Sequence, residues 1–214
     1  MPDTGARLTL LTVSAAALTV VLTLPDAPAR PSPPPPDFGT VAPVRDAAAT
    51  RTASPPPREA GAPRHDPPPE RIMVRGAGLD APVRPVGVTG DGAIAVPADP
   101  AVAGWYRHGP APGASEGAAV LVGHMDDDTG ALGEFAALYD IRPGDRVEVR
   151  RTAAEPVVYR VVARATTPKD DLPPDTFRRT GAPVLRLVTC APPFVPGEGG
   201  YRANLVVTAE PLRD

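Results

Sequence analysis

Fifteen of the chain's 32 prolines fall between residues 25 and 69, and this crowding decides where a fold can form. Proline lacks the backbone donor and fixes φ, so Pro33-Pro34-Pro35-Pro36, Pro55-Pro56-Pro57 and Pro67-Pro68-Pro69 suit neither helix interiors nor central strands. With few large apolar side chains between them, residues 25–69 bury too little surface to offset their ordering entropy and are expected to be a disordered spacer with polyproline character. At about 3.1 Å per residue such a spacer reaches roughly 100 Å or more. Residues 70–214 remain, enough for one real hydrophobic core, and are read as a single folded domain.

Ahead of the spacer, residues 8–24 (LTLLTVSAAALTVVLTL) carry no charge and lie between Arg7 and Asp26. The run is slightly short of the roughly 20 residues that cross a bilayer and longer than the apolar part of most signal peptides. Either reading implies export. It is read as a retained single-pass anchor with residues 1–7 in the cytoplasm and the folded domain outside the cell. Ala27-Pro28-Ala29 keeps a cleaved signal peptide open. The net charge of −3 comes with scattered basic residues, so no cationic patch points to nucleic acid. Lys169 is the only lysine among many arginines, and alanine and proline abound, a composition that suggests a high-GC actinobacterium.

From Ile72 onward, short apolar or alternating segments recur between Gly and Pro turns, with no helix-period stretch of useful length. Extended segments are expected at Ile72–Val74, Leu79–Val88, Ala93–Pro97, Ala118–Gly123, Arg146–Arg151, Val157–Ala163, Val184–Cys190 and Arg202–Val207. Helical turns are expected near Phe135–Leu138 and Asp175. About eight short strands at regular spacing predict an all-β barrel or sandwich.

Three of these segments carry chemistry at an end. Val184–Thr189 delivers the only cysteine, Cys190, to an expected Pro/Gly loop over residues 191–200. His124 closes one strand and Arg202 begins another. Of the three histidines, His65 lies in the spacer and His108 in a Gly/Pro loop, so His124 is the one a strand would hold in place. A thiolate attacks amide carbonyls, an imidazole can protonate the departing amine, and a guanidinium can hold the negative carbonyl oxygen. Together they describe acyl transfer through a thioester. The cysteine and the arginine also have ordinary roles, as a buried thiol and a solvated cation. No cofactor is required. Asp126-Asp127-Asp128 is read as a solvated turn, and no metal site is assigned.

These residues resemble the sortases, membrane-anchored cysteine transpeptidases of Gram-positive bacteria. His124 in VLVGHMD, Cys190 in LRLVTC and Arg202 in YRANLVV match the family pattern, and the similarity spans roughly residues 71–210. DAPVRPVG, AGWYRHGPAPG and GYRANLVV look most like the actinobacterial class F members. The resemblance implies a closed eight-stranded β-barrel, with Cys190 as nucleophile, His124 as general acid and Arg202 as oxyanion or substrate-positioning group. Thr189, Val122, Val188 and Asn204 would shape the site or touch substrate. It further implies cleavage of an LPXTG-like sorting signal between Thr and Gly, and transfer to an amine of a peptidoglycan precursor or another protein. Leu185-Arg186 and Ala191-Pro192-Pro193 depart from the pattern, and the calcium site of some class A members is not assumed. A hydrolytic cell-wall cysteine peptidase and a non-enzymatic wall-associated β domain are the alternatives.

Overall fold

The computed structural model describes residues 33–40 and 66–212. Eight strands close into one barrel: β1 (Pro69–Val74), β2 (Leu79–Val86), β3 (Ala103–Tyr106), β4 (Ala118–Val122), β5 (Arg146–Arg151), β6 (Ala154–Pro168), β7 (Val184–Val195) and β8 (Gly200–Pro211). Around the barrel the order is β1-β2-β3-β4-β7-β8-β6-β5, and β5 returns to β1. β2 with β3 and β4 with β7 are parallel, and the other neighbours are antiparallel. Short 3-10 helices occupy Glu134–Tyr139, Pro174–Phe177 and Pro196–Glu198.

Strand alternation sends one set of side chains inward. Ile72, Val74, Leu79, Leu121, Val147, Val149, Leu185, Leu187, Leu205 and Val207 form the core, joined by Phe135 and Leu138 of the first 3-10 helix. Fully burying each such side chain contributes about 1.5–3 kcal/mol relative to leaving it exposed. A second apolar cluster, Val120, Val122, Val188 and Val206, lies on the opposite face of the same strands, packed with Val86, Ile94, Tyr106 and Leu172. The first six residues of β7 are therefore buried on both faces, which is why that strand reads as a mostly apolar run rather than an alternation, its one charge, Arg186, being paired with Asp175 and Thr208.

Four expectations need amendment. β7 does not end at Cys190 but runs to Val195, and most of the expected loop 191–200 is strand or helical turn. Pro192 and Pro193, joined by a cis peptide, lack the donors a regular ladder needs. The register accordingly shifts between Ala191 and Phe194 and then resumes with Phe194 opposite Tyr201. β6 is likewise longer than Val157–Ala163, because β8 pairs with it as far as Pro168. Ala93–Pro97 is not a strand; Ile94 makes a single bridge to Val88. Finally, part of the proline-rich stretch lies against the barrel, with Phe38 bridged to Arg164. Segments 1–7, 8–24 and 41–65 fall outside the described residues, and among those described no helix is long and apolar enough to cross a membrane.

Candidate active site

The site is assembled by register. β4 and β7 run in parallel with Val122 beside Val188, and antiparallel β8 sets Val206 opposite Val188 and Asn204 opposite Cys190. Paired residues share a face, so the Val122–Val188–Val206 row lies one step from the Cys190–Asn204 row. The β4–β7 ladder continues through the Gly123 N–H, which donates to Val188 O at 3.2 Å. β4 ends at Val122, so His124 does not close the strand as expected but lies two residues beyond it, where extending the β4–β7 offset would set it beside Cys190. Arg202 stands two residues before Asn204 on β8, hence on the same face. β7 and β8 thus set Cys190 and Arg202 on one face beside the valine row, with His124 just past the end of β4.

Thr189 alternates to the other face and is 2 % exposed. Its hydroxyl donates to Gly123 O at 2.9 Å, tying the residue before the cysteine to the residue before the histidine. Gly123 itself must be glycine because a Cβ there would lie 2.5 Å from Phe135 Cγ. Phe135 can therefore sit against the backbone that leads into His124.

The His124 ring bonds Pro97 O through Nε2 at 2.8 Å. A carbonyl only accepts, so Nε2 carries the proton and Nδ1 is the nitrogen left free in the neutral ring. Cys190 is half-buried and unpaired with any other cysteine. Burial pushes its thiol above the ordinary value, Lys169 opposes that shift, and the Asp126 carboxylate adds to it. The resting group at neutral pH is therefore the thiol, and an acyl transfer must remove its proton as the bond to carbon forms. Arg202 donates to Glu198 O at 3.2 Å and lies 3.6 Å from the Glu198 carboxylate and 3.9 Å from that of Asp170. With Arg202 itself 40 % exposed, these contacts are weak ones.

Several neighbours were not picked out from the sequence. Tyr139, closing the first 3-10 helix, donates its hydroxyl to Cys190 O at 3.4 Å. Burial, then the nearby Cys190 and Asp126 charges, push this phenol up to about 12. Tyr201 donates to Asp126 Oδ2 at 2.5 Å and packs edge-on against Phe194; burial and that bond raise its pKa. Asp126 is therefore more than part of a solvated turn, since it joins the loop after His124 to the residue before Arg202. Asp127 does stay within its turn, accepting from Thr129 and Ala131. Among the described residues no cluster of His, Cys, Asp and Glu is arranged to hold a metal. Lys169, adjacent to Asp170, was noticeable only as the single lysine. A chain that spends one cation of that type near its one thiol offers a faint signal; the Pro97 carbonyl offers none.

A search of proteins with curated function finds no match to this sequence. Solved structures do match in fold. Sortase C1 from Streptococcus agalactiae is 21 % identical with a TM-score of 0.52, over 68 % of this chain and 67 % of that one. Sortase C-1 from Actinomyces oris is 20 % identical with a TM-score of 0.51, over 67 % and 73 %. At sequence level, a family model described as the sortase domain matches residues 72–212, well over half of the chain. On that match, made over the same strands that build the site, the chain belongs to the sortase family.

Proposed function

We propose that the protein is a sortase-type cysteine transpeptidase that cleaves an LPXTG-like sorting signal between Thr and Gly. The observation that supports this reading is the pairing of β7 with β8, which sets Arg202 on the face of Cys190, while β4, paired with β7, ends two residues before His124. The Cys190 sulfur attacks the scissile carbonyl and gives up its proton to the free Nδ1 of His124, while Arg202 holds the oxygen that becomes negative. His124 then delivers a proton to the departing amine, and a thioester remains on Cys190. An amine from a peptidoglycan precursor or another protein attacks the thioester, forming a new amide and releasing the thiol. Val122 and Val188 supply apolar floor beneath the peptide, Asn204 flanks the nucleophile, and Thr189 fixes the strand that bears it. Within the family, DAPVRPVG, AGWYRHGPAPG and GYRANLVV resemble the class F members.

The apolar segment 8–24 anchors the chain to the outer face of the cytoplasmic membrane, with the barrel in the cell wall. Product analysis tests the reaction. Incubation of the full chain with an LPXTG-like peptide and an added amine is expected to give the amine-ligated peptide ending at Thr. Free acid alone, with amine in excess, would assign the site to a hydrolytic peptidase instead.

A further inference from the structure

β6 is longer than its neighbour β5. Their pairing stops at Arg160, so the edge of β6 beyond Val161 would present open backbone donors and acceptors. The proline-rich segment fills that edge. The Phe38 N–H donates to Arg164 O and the Arg164 N–H to Phe38 O, both at 2.9 Å, and the Thr166 N–H donates to Asp37 Oδ1 at 2.8 Å. Gly39 crosses at φ +69°, where a Cβ would lie 2.1 Å from Val162 O, so no other residue fits. Gly39 and Thr40 then wall a cavity of about 500 Å³ whose floor includes Val206 of the valine row.

Arg164 joins this segment to the site. It is 5 % exposed, and the Asp37 and Asp140 charges favour its charged form against burial. Its Nη1 donates to Tyr139 O and Ile141 O at 2.8 Å, at the carbonyl end of the helix Glu134–Tyr139. Its Nη2 donates to Pro36 O at 3.0 Å, and the guanidinium lies 4.9 Å from the Phe38 ring centroid. Tyr139, held by Arg164 through its carbonyl, reaches Cys190 O with its hydroxyl. A continuous run of contacts therefore leads from Phe38 through Arg164 and Tyr139 to the backbone of the cysteine.

We propose that Arg164 is a positioning residue for Cys190 and that Pro36-Asp37-Phe38-Gly39 is the latch that completes it. The kinetic part rests on the transpeptidase reading; the rest does not. When the latch leaves, Nη2 loses its acceptor, the helix end loosens, and Cys190 becomes more solvated. The thiol then ionises more readily but is worse placed for the peptide carbonyl.

The test uses the full chain with Phe38→Ala or Gly39→Val, both remote from the reacting atoms. A core variant, Val147→Ala, serves as a control for general loss of stability. The latch variants are expected to speed hydrogen exchange at the Arg164 and Thr166 amides by about tenfold or more. They should also raise the iodoacetamide rate of Cys190 about threefold at fixed pH and lower kcat with KM held. Adding the free peptide of residues 33–40 to the Phe38→Ala chain should reverse the exchange and alkylation changes, which it cannot do for Val147→Ala. Unchanged exchange, or faster exchange with Cys190 alkylation unmoved, overturns the proposal. Absence of transpeptidation in the parent chain, with exchange and alkylation behaving as stated, removes the functional reading and leaves the latch standing.

Discussion

At the scale of single residues, the charges around one thiol decide how the site behaves with pH. Burial holds Cys190 in its protonated form, Lys169 favours the thiolate, and Asp126 disfavours it. Because the pKa is raised, the thiolate is a minority species at neutral pH. Alkylation should therefore climb about tenfold per pH unit through the neutral range and level off only above the ordinary thiol value. Lys169→Met removes the stabilising charge and should slow alkylation at fixed pH, a shift measured by following the iodoacetamide rate against pH. A rate unchanged by that substitution would mean Lys169 does not sense the thiol. Thr189→Val deletes the hydroxyl bond to Gly123 O. About 1 kcal/mol of stability should go with it, read as a melting temperature about 2–4 °C lower. Turnover should fall as well, since that bond holds the strand of the cysteine to the strand of the histidine.

At the scale of elements, the strands were readable where the residue pattern reflects a single packing demand. Ala118–Val122 and, apart from Arg186 and Thr189, Val184–Thr189 are apolar on both faces because the barrel core lies on one side and the valine cluster on the other. The residue pattern puts His124, Cys190 and Arg202 at strand ends, yet Cys190 lies within β7 and His124 past the end of β4; Val188 and Asn204 fall on the Cys190 face, with Val122 beside Val188. Strand ends were less readable. Pro192-Pro193 reads as the end of pairing, yet a register shift lets β7 resume at Phe194. Asp126 and Tyr201 lie 75 positions apart, so their bond leaves no local mark. Gly123 gives this scale its sharpest test. An alanine Cβ would meet Phe135, and such overpacking costs about 1–3 kcal/mol. Gly123→Ala is therefore expected to lower the denaturation midpoint and, by shifting the backbone ahead of His124, to reduce turnover more than a core variant of equal stability loss. Turnover that merely tracks stability would contradict this.

At the scale of the whole molecule, composition could not foresee that part of the proline-rich stretch lies against the barrel. Phe38 is an isolated aromatic among prolines, and its partner Arg164 is 126 positions away, so neither residue announces the other. The apolar segment 8–24 gives the chain its proposed anchor. Deleting residues 1–24 should move the protein from the membrane fraction to the soluble fraction while leaving Cys190 alkylation unchanged; retention in the membrane would reject the anchor. The central claim is that the row containing Cys190 performs acyl transfer, and intact-mass measurement of the full chain with an LPXTG-like peptide tests it most directly. The account predicts a mass increase equal to the peptide fragment ending at Thr. That adduct should map to Cys190, be discharged by hydroxylamine and be absent from Cys190→Ala. Peptide cleavage that persists in a folded Cys190→Ala protein would contradict the account.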